Sequence, residues 1–151
     1  MLFSKRIDEI TYDDVLAFCK EGHEEGIRLD YKVDWPKDLA KIIAAMANTF
    51  GGLILVGVDE EDRRPKLPIA GVKFTSKEQL SQKVASIAFD AIYPPLFPEV
   101  AVCEFESKGH KKPDRVVIII RVHESHESPH TVENGTKVYL RVADQTKPRF
   151  V

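Results

Sequence analysis

The run Ala47-Asn48-Thr49-Phe50-Gly51-Gly52-Leu53-Ile54-Leu55-Val56-Gly57-Val58-Asp59-Glu60 decides how this chain folds. Upstream of it, Pro36 suits a helix start, and Leu39, Ile42, Ile43, Met46, Ala47 and Phe50 recur at three- and four-residue spacings, forming one apolar stripe. Gly51-Gly52 stops that helix, because glycine tolerates the left-handed conformation that closes a helix. Leu53 to Val58 then runs apolar and unbroken, over a length that suits a central strand buried on both faces. A helix folded back onto a sheet is therefore predicted. Asp59 and Glu60 stand at the strand's carboxyl end, where ligands collect in α/β sheets.

Toward the N-terminus, Ile27, Leu29, Tyr31 and Val33 alternate with Arg28, Asp30, Lys32 and Asp34. This period of two predicts a half-buried strand with Asp30 and Lys32 on one face. Further back, Thr11 with Asp14 resembles a capping box and opens a short helix that Gly22 ends, read as a lid. Toward the C-terminus, a charged turn Asp59 to Pro65 leads into an extended Leu67 to Val72 segment, whose Pro68 suits an edge. Ser76 opens a second long helix through Leu80, Val84, Ile87 and Ala88, which Tyr93-Pro94-Pro95 terminates. Val100 to Phe105 and Val116 to Val122 read as a hairpin joined by the polar turn Ser107 to Asp114. A polar loop from His123 to Gly135 precedes a last strand, Lys137 to Val142. The order predicts an α+β fold, a mixed β-sheet covered by the two longer helices, in one domain spanning residues 1–151.

Of the 151 residues, 43% are hydrophobic and 30% charged, which fits a soluble globular domain with a real core. No apolar run approaches the ~18 residues of a spanning helix, and the first residues lack a signal core. A cytoplasmic location without a membrane partner is expected. Cys19 and Cys103 stand alone, so neither a disulfide framework nor a cysteine zinc site is indicated, and both are expected as buried filler. The net charge of −2 argues against coating nucleic acid by bulk charge. Local charge differs: the first thirty residues lean acidic, whereas Lys108, Lys111, Lys112, Arg115, Lys137, Arg141, Lys147 and Arg149 make the last third basic.

Among chemically capable groups, the carboxylates of Glu25, Asp30, Asp59 and Glu60 can converge if their two strands are neighbours. Such a cluster would hold Mg²⁺ or Mn²⁺, with Lys32 stabilising charge on a phosphate, although alternating charges on a solvated strand face produce the same pattern. Gly51-Gly52 lacks a phosphate-loop context. His123, His126 and His130 have zinc-like proximity, but their polar surroundings and Pro129 favour a solvated loop. No Ser or Cys stands at a nucleophile elbow. Tyr139, Arg141 and Lys147 form a polar and basic strip suited to phosphate contact, together with Lys112 and Arg115.

Taken in order, Glu25-x-x-x-x-Asp30-Tyr31-Lys32, the run Ala45 to Glu60, Ile69-Ala70-Gly71-Val72 and Val138-Tyr139-Leu140-Arg141-Val142 resemble the Schlafen AlbA-like domain family over about residues 20–146. The resemblance implies a mixed α/β module that binds DNA or RNA, often fused in prokaryotes to helix-turn-helix or ATPase-like partners in regulatory proteins. Some animal members are metal-dependent endoribonucleases acting on transfer and ribosomal RNA through three carboxylates. Carried over by position, that triad falls on Glu25, Asp30 and Glu60, with Lys32 beside it. In those enzymes two modules form one groove, so a single module would act as a homodimer.

Two residues depart from the pattern: Asp30 stands where the family has glutamate, and Glu60 where nuclease members have aspartate. Each change moves a carboxylate by one methylene, which disturbs octahedral Mg²⁺ geometry more than it disturbs binding. The expected function is therefore nucleic-acid binding. The alternatives are a divalent-metal-dependent endoribonuclease and a protein-interaction or oligomerisation domain.

Overall fold

The computed structural model describes residues 2–149. After a single 3-10 turn at Ile7–Glu9, the elements run α1 (Tyr12–Lys20), β1 (Leu29–Lys32), α2 (Leu39–Asn48), β2 (Gly52–Val56), β3 (Glu60–Glu61), β4 (Arg64–Pro65), β5 (Val72–Lys73), α3 (Lys77–Ala91), β6 (Glu99–Phe105), β7 (Arg115–Val122), β8 (Thr131–Val132), β9 (Lys137–Val142) and β10 (Gln145–Arg149). The main sheet has the order β1-β2-β7-β5, with β6 on the other side of β7; β1 and β2 are parallel and the remaining pairs antiparallel. A second antiparallel sheet, β10-β9-β8, lies against α2.

Three α-helices, not two, cover the main sheet among the described residues. α2 and α3 pack on the face carrying Ile54, Val56, Ile118 and Ile120. α1 closes the opposite face, where its Val15, Phe18 and Cys19 meet a core of Leu29, Tyr31, Leu53, Leu55, Val117 and Ile119. The expected lid is thus a structural layer. The physical reason lies in β2 and β7: their apolar residues point to both faces, so helices on one face alone would leave the other wet. The Thr11 capping box forms as expected, with Thr11 accepting from the Asp14 amide and Asp14 from the Thr11 amide at 2.9 Å.

The N-terminal segment belongs to this second core. Leu2 is fully buried, and the Arg121 guanidinium donates to the carbonyls of Leu2 and Lys5 while its Nε holds Glu99 at 2.9 Å. Both cysteines are buried here as expected, and burial pushes the thiol of Cys19 up to about 11 and that of Cys103 up to about 12, so neither is a thiolate at neutral pH.

The Gly51-Gly52 turn does more than end a helix. Gly51 has φ +73°, and a Cβ placed on it would lie 2.6 Å from the Val122 carbonyl oxygen; one on Gly52 would lie 2.6 Å from the Arg28 carbonyl oxygen. The backbones of β1, β2 and β7 approach too closely here for any side chain. The preceding Asn48 and Thr49 dock the second sheet on α2. Asn48 donates to the carbonyls of His130 and Tyr139 and accepts from the His130 amide, while Thr49 Oγ1 donates to the Ala45 carbonyl and accepts from the Arg141 amide.

Three segments differ from expectation. Of the extended Leu67 to Val72 segment only Val72 enters a strand, the two-residue β5, and the charged turn before it folds into the β3-β4 ribbon. β10 follows the strand expected to be last, because Pro148 and the polar Gln145-Thr146 mask its period. The 123–135 loop is not wholly solvated: His130 is 1% exposed, with Nδ1 2.6 Å from the Pro94 carbonyl oxygen and Nε2 2.6 Å from Ser125 Oγ.

Candidate functional site

β1 forms one edge of the main sheet, and its alternation puts Tyr31 into the α1 core while Asp30 and Lys32 point to the other side. An edge strand leaves amides without a ladder partner, and the Tyr31 amide is capped by Glu25 Oε2 at 2.9 Å. Glu25 therefore finishes the sheet as well as facing the acidic cluster.

The β3-β4 ribbon is clamped over this edge. Glu24 receives Arg63 at 2.6 Å and Arg64 at 2.8 Å, Arg64 also reaches the Gly22 carbonyl, and the Glu25 amide donates to the Arg63 carbonyl at 2.7 Å. This clamp, which sequence reasoning missed, brings Glu60 into electrostatic range of Glu25; the Arg63-Arg64 pair in a turn facing Glu24 was its only signal. Burial pushes the Glu25 carboxyl up to about 7, opposed by the Tyr31 amide and reinforced by Asp30 and Glu60.

This shift has a measurable consequence. A carboxyl at about 7 in the folded state and near 4.5 in the unfolded chain adds stability that is complete below pH 4.5 and lost as pH rises through 7. The group is partly exposed, so the loss is discounted to about 1–2 kcal/mol. Glu25→Gln keeps an acceptor for the Tyr31 amide and removes the titration. Urea titrations at pH 5 and pH 8 should show the variant near wild type at the lower pH and more stable by that amount at the higher. A constant difference would sink the assignment.

Asp30 is buried and faces two cations. Its Oδ2 forms an ion pair with Arg141 Nη1 at 2.9 Å, and Lys32 Nζ lies 3.3 Å from Oδ1, both close enough to balance charge but outside hydrogen-bond geometry. Arg141 is itself buried, and also donates to the carbonyls of Gly26 and Leu29 and to Thr146 Oγ1. The pair stitches the edge of the main sheet to β9 and β10.

The resemblance implied Mg²⁺ or Mn²⁺ held by Glu25, Asp30 and Glu60, and these residues do not fit such an ion. Asp30 is already neutralised by Arg141 and Lys32, Glu25 Oε2 caps the Tyr31 amide, and exposed Glu60 accepts from the Arg63 amide. Among the described residues no group of three His, Cys, Asp or Glu stands close enough to hold a metal ion.

The proposed phosphate-contacting residues separate into two sets. Tyr139 and Arg141 are buried, so neither offers its side chain to a phosphate; Tyr139 lies under Lys41 Nζ at 5.3 Å. Lys112, Arg115 and Lys147 are exposed and Lys32 half-buried. The ladder register aligns Lys32 with Val56, Val56 with Ile118, and Lys73 with Arg115, which in turn faces Phe105. Lys73 and Arg115 therefore share one face and one end of the sheet with the Ser107 to Asp114 turn that carries Lys108, Lys111 and Lys112, while Lys32, near the same end, points to the opposite face. Lys147 lies apart on β10.

A family model described as Schlafen, AlbA_2 matches residues 25–149. No curated protein matches the chain. Among solved structures, the chain is similar to the DIP2311 protein from Corynebacterium diphtheriae, with a TM-score of 0.56 and 21% identity, covering 91% of this chain and 26% of that one. At that identity the likeness is one of fold.

Proposed function

The chain belongs to the Schlafen AlbA_2 family, and from that premise we propose that it is a nucleic-acid-binding module that grips DNA or RNA through the basic end of its main sheet. The observation that carries this reading is the pairing of Lys73 with Arg115 beside the turn that carries Lys108, Lys111 and Lys112, in a chain whose net charge is −2; Lys32, paired with Asp30, lies on the opposite face of the sheet. Such local concentration favours phosphate contact where bulk charge does not. The residues before the family match complete one core with the rest, which supports treating the chain as a single domain. The chain spans 26% of the fold relative's length; a role inside a longer cytoplasmic regulatory protein, acting as a homodimer, belongs to the proposal and rests on the family resemblance. The nuclease reading is not favoured, because Asp30 is held by Arg141.

An electrophoretic shift assay across a salt series tests the proposal. Wild type should shift DNA or RNA at low ionic strength, with affinity falling linearly in log salt. Lys112→Ala with Arg115→Ala should flatten that slope by about one for each phosphate no longer neutralised. No shift of either nucleic acid at low salt would end this reading and favour the protein-interaction alternative.

A further inference from the structure

An open groove of about 1180 Å³ runs between the start of α2, the end of α3 and the 129–135 segment. Its wall at α3 carries Phe89 at 56% and Tyr93 at 72% exposure, and Phe97 at 77% stands 6.1 Å from Phe89. Aromatic rings this exposed on a folded surface favour a bound partner.

The charge on that wall selects the partner. The last turn of α3 has no basic side chain and does contain Asp90, so a carboxylate stands at the end of a helix that is already partially negative. Asp38, on the facing wall, and Asp90 form no ion pair among the described residues, whereas Glu133 is satisfied by Lys41 and Lys137. Lys37 and the positive N-terminal end of α2 oppose Asp90 from the other wall. Two uncommitted carboxylates, a helix C-terminus and exposed rings match a guanidinium, which pairs with carboxylates and stacks on aromatic faces. A phosphate placed at the α3 wall would meet Asp90 and the negative end of the helix.

We propose that this groove docks an extended, arginine-bearing, proline-rich peptide segment of a partner protein, with the arginine between Asp90 and Tyr93. Prolines suit the site because pre-extended segments bind aromatic-lined grooves at low entropic cost. The test is fluorescence anisotropy of a short fluorescein-labelled peptide of alternating proline and arginine, beside a matched peptide with glutamine for arginine and a labelled oligouridylate.

The arginine peptide should bind saturably and the glutamine peptide should not. Asp90→Lys and Tyr93→Ala should each weaken binding about tenfold or more, while leaving oligonucleotide shifts at the sheet end unchanged. Both substitutions are at exposed positions, and circular dichroism of each variant checks that it folds. Equal binding of both peptides, insensitivity to both substitutions or no saturable binding would overturn the proposal. So would oligouridylate binding that Tyr93→Ala weakens and Asp90→Lys strengthens, which would assign the groove to single-stranded nucleic acid.

Discussion

Replacing Arg141 by methionine should lower the unfolding free energy by about 3–5 kcal/mol, because it leaves the Asp30 carboxylate buried without its closest cation. Methionine fills part of the guanidinium's volume, so the loss reports charge more than cavity. Asp30→Asn alone should also destabilise. The double variant Asp30→Asn with Arg141→Met should recover part of the loss, since the uncompensated charge is gone and Lys32 is freed to solvent. Urea unfolding of the four proteins in the cycle gives the coupling. Strictly additive losses would mean that the pair is not energetically joined, and a loss under about 1 kcal/mol for Arg141→Met would mean that the site is wet.

Gly51→Ala is expected to destabilise by about 2–4 kcal/mol, combining the penalty for a side chain at φ +73° with a contact to backbone that cannot swing aside. The Cβ would press on the Val122 carbonyl and on the Glu124 amide at 2.9 Å, so α2 and β7 must part. Gly109→Ala is the control: its φ is +92°, yet nothing lies within 4 Å of the added carbon. The difference between the two isolates the close approach from the backbone strain. Equal Tm shifts for both would remove the close approach from the account.

Local pattern carried the elements, and pairing across distance did not. The α2 stripe, the glycine stop, the apolar β2 run, the alternation of β1 and the β6-β7 hairpin are each periods or turns within about a dozen residues, which is where sequence periodicity speaks. The fate of Asp30 was hidden, because a carboxylate on a strand's polar side looks the same whether it meets solvent, a metal or an arginine near the other end of the chain. The expectation of Arg141 and Tyr139 in a strip for phosphate contact has the same origin, since both are buried in the fold. His130 was obscured by the polar neighbours of its loop, although Asn48, in the most recognisable part of the chain, is what captures it. The third helix layer could have been foreseen from β2 itself, since a strand apolar on both faces demands cover on both.

The motif that identifies the family also takes a different meaning once its contacts are known. Asn48 and Thr49 spend their hydrogen bonds within the protein; they hold β8 and β9 on the end of α2, and Gly51 and Gly52 let three strands meet there. The conspicuous part of the sequence is a joint, and the candidate binding surface lies in a turn and two short strand ends.

The seam made by Arg141 bears on time as well as stability. Its donors reach Gly26, Leu29 and Asp30, more than a hundred positions earlier in the chain, so closing it requires most of the polypeptide to be already ordered. A low φ-value is expected at this seam, so Arg141→Met should raise the unfolding rate more than it lowers the folding rate in stopped-flow urea jumps. On that expectation the second sheet is a latch across the edge of the main sheet, and its hold sets how long the folded molecule persists.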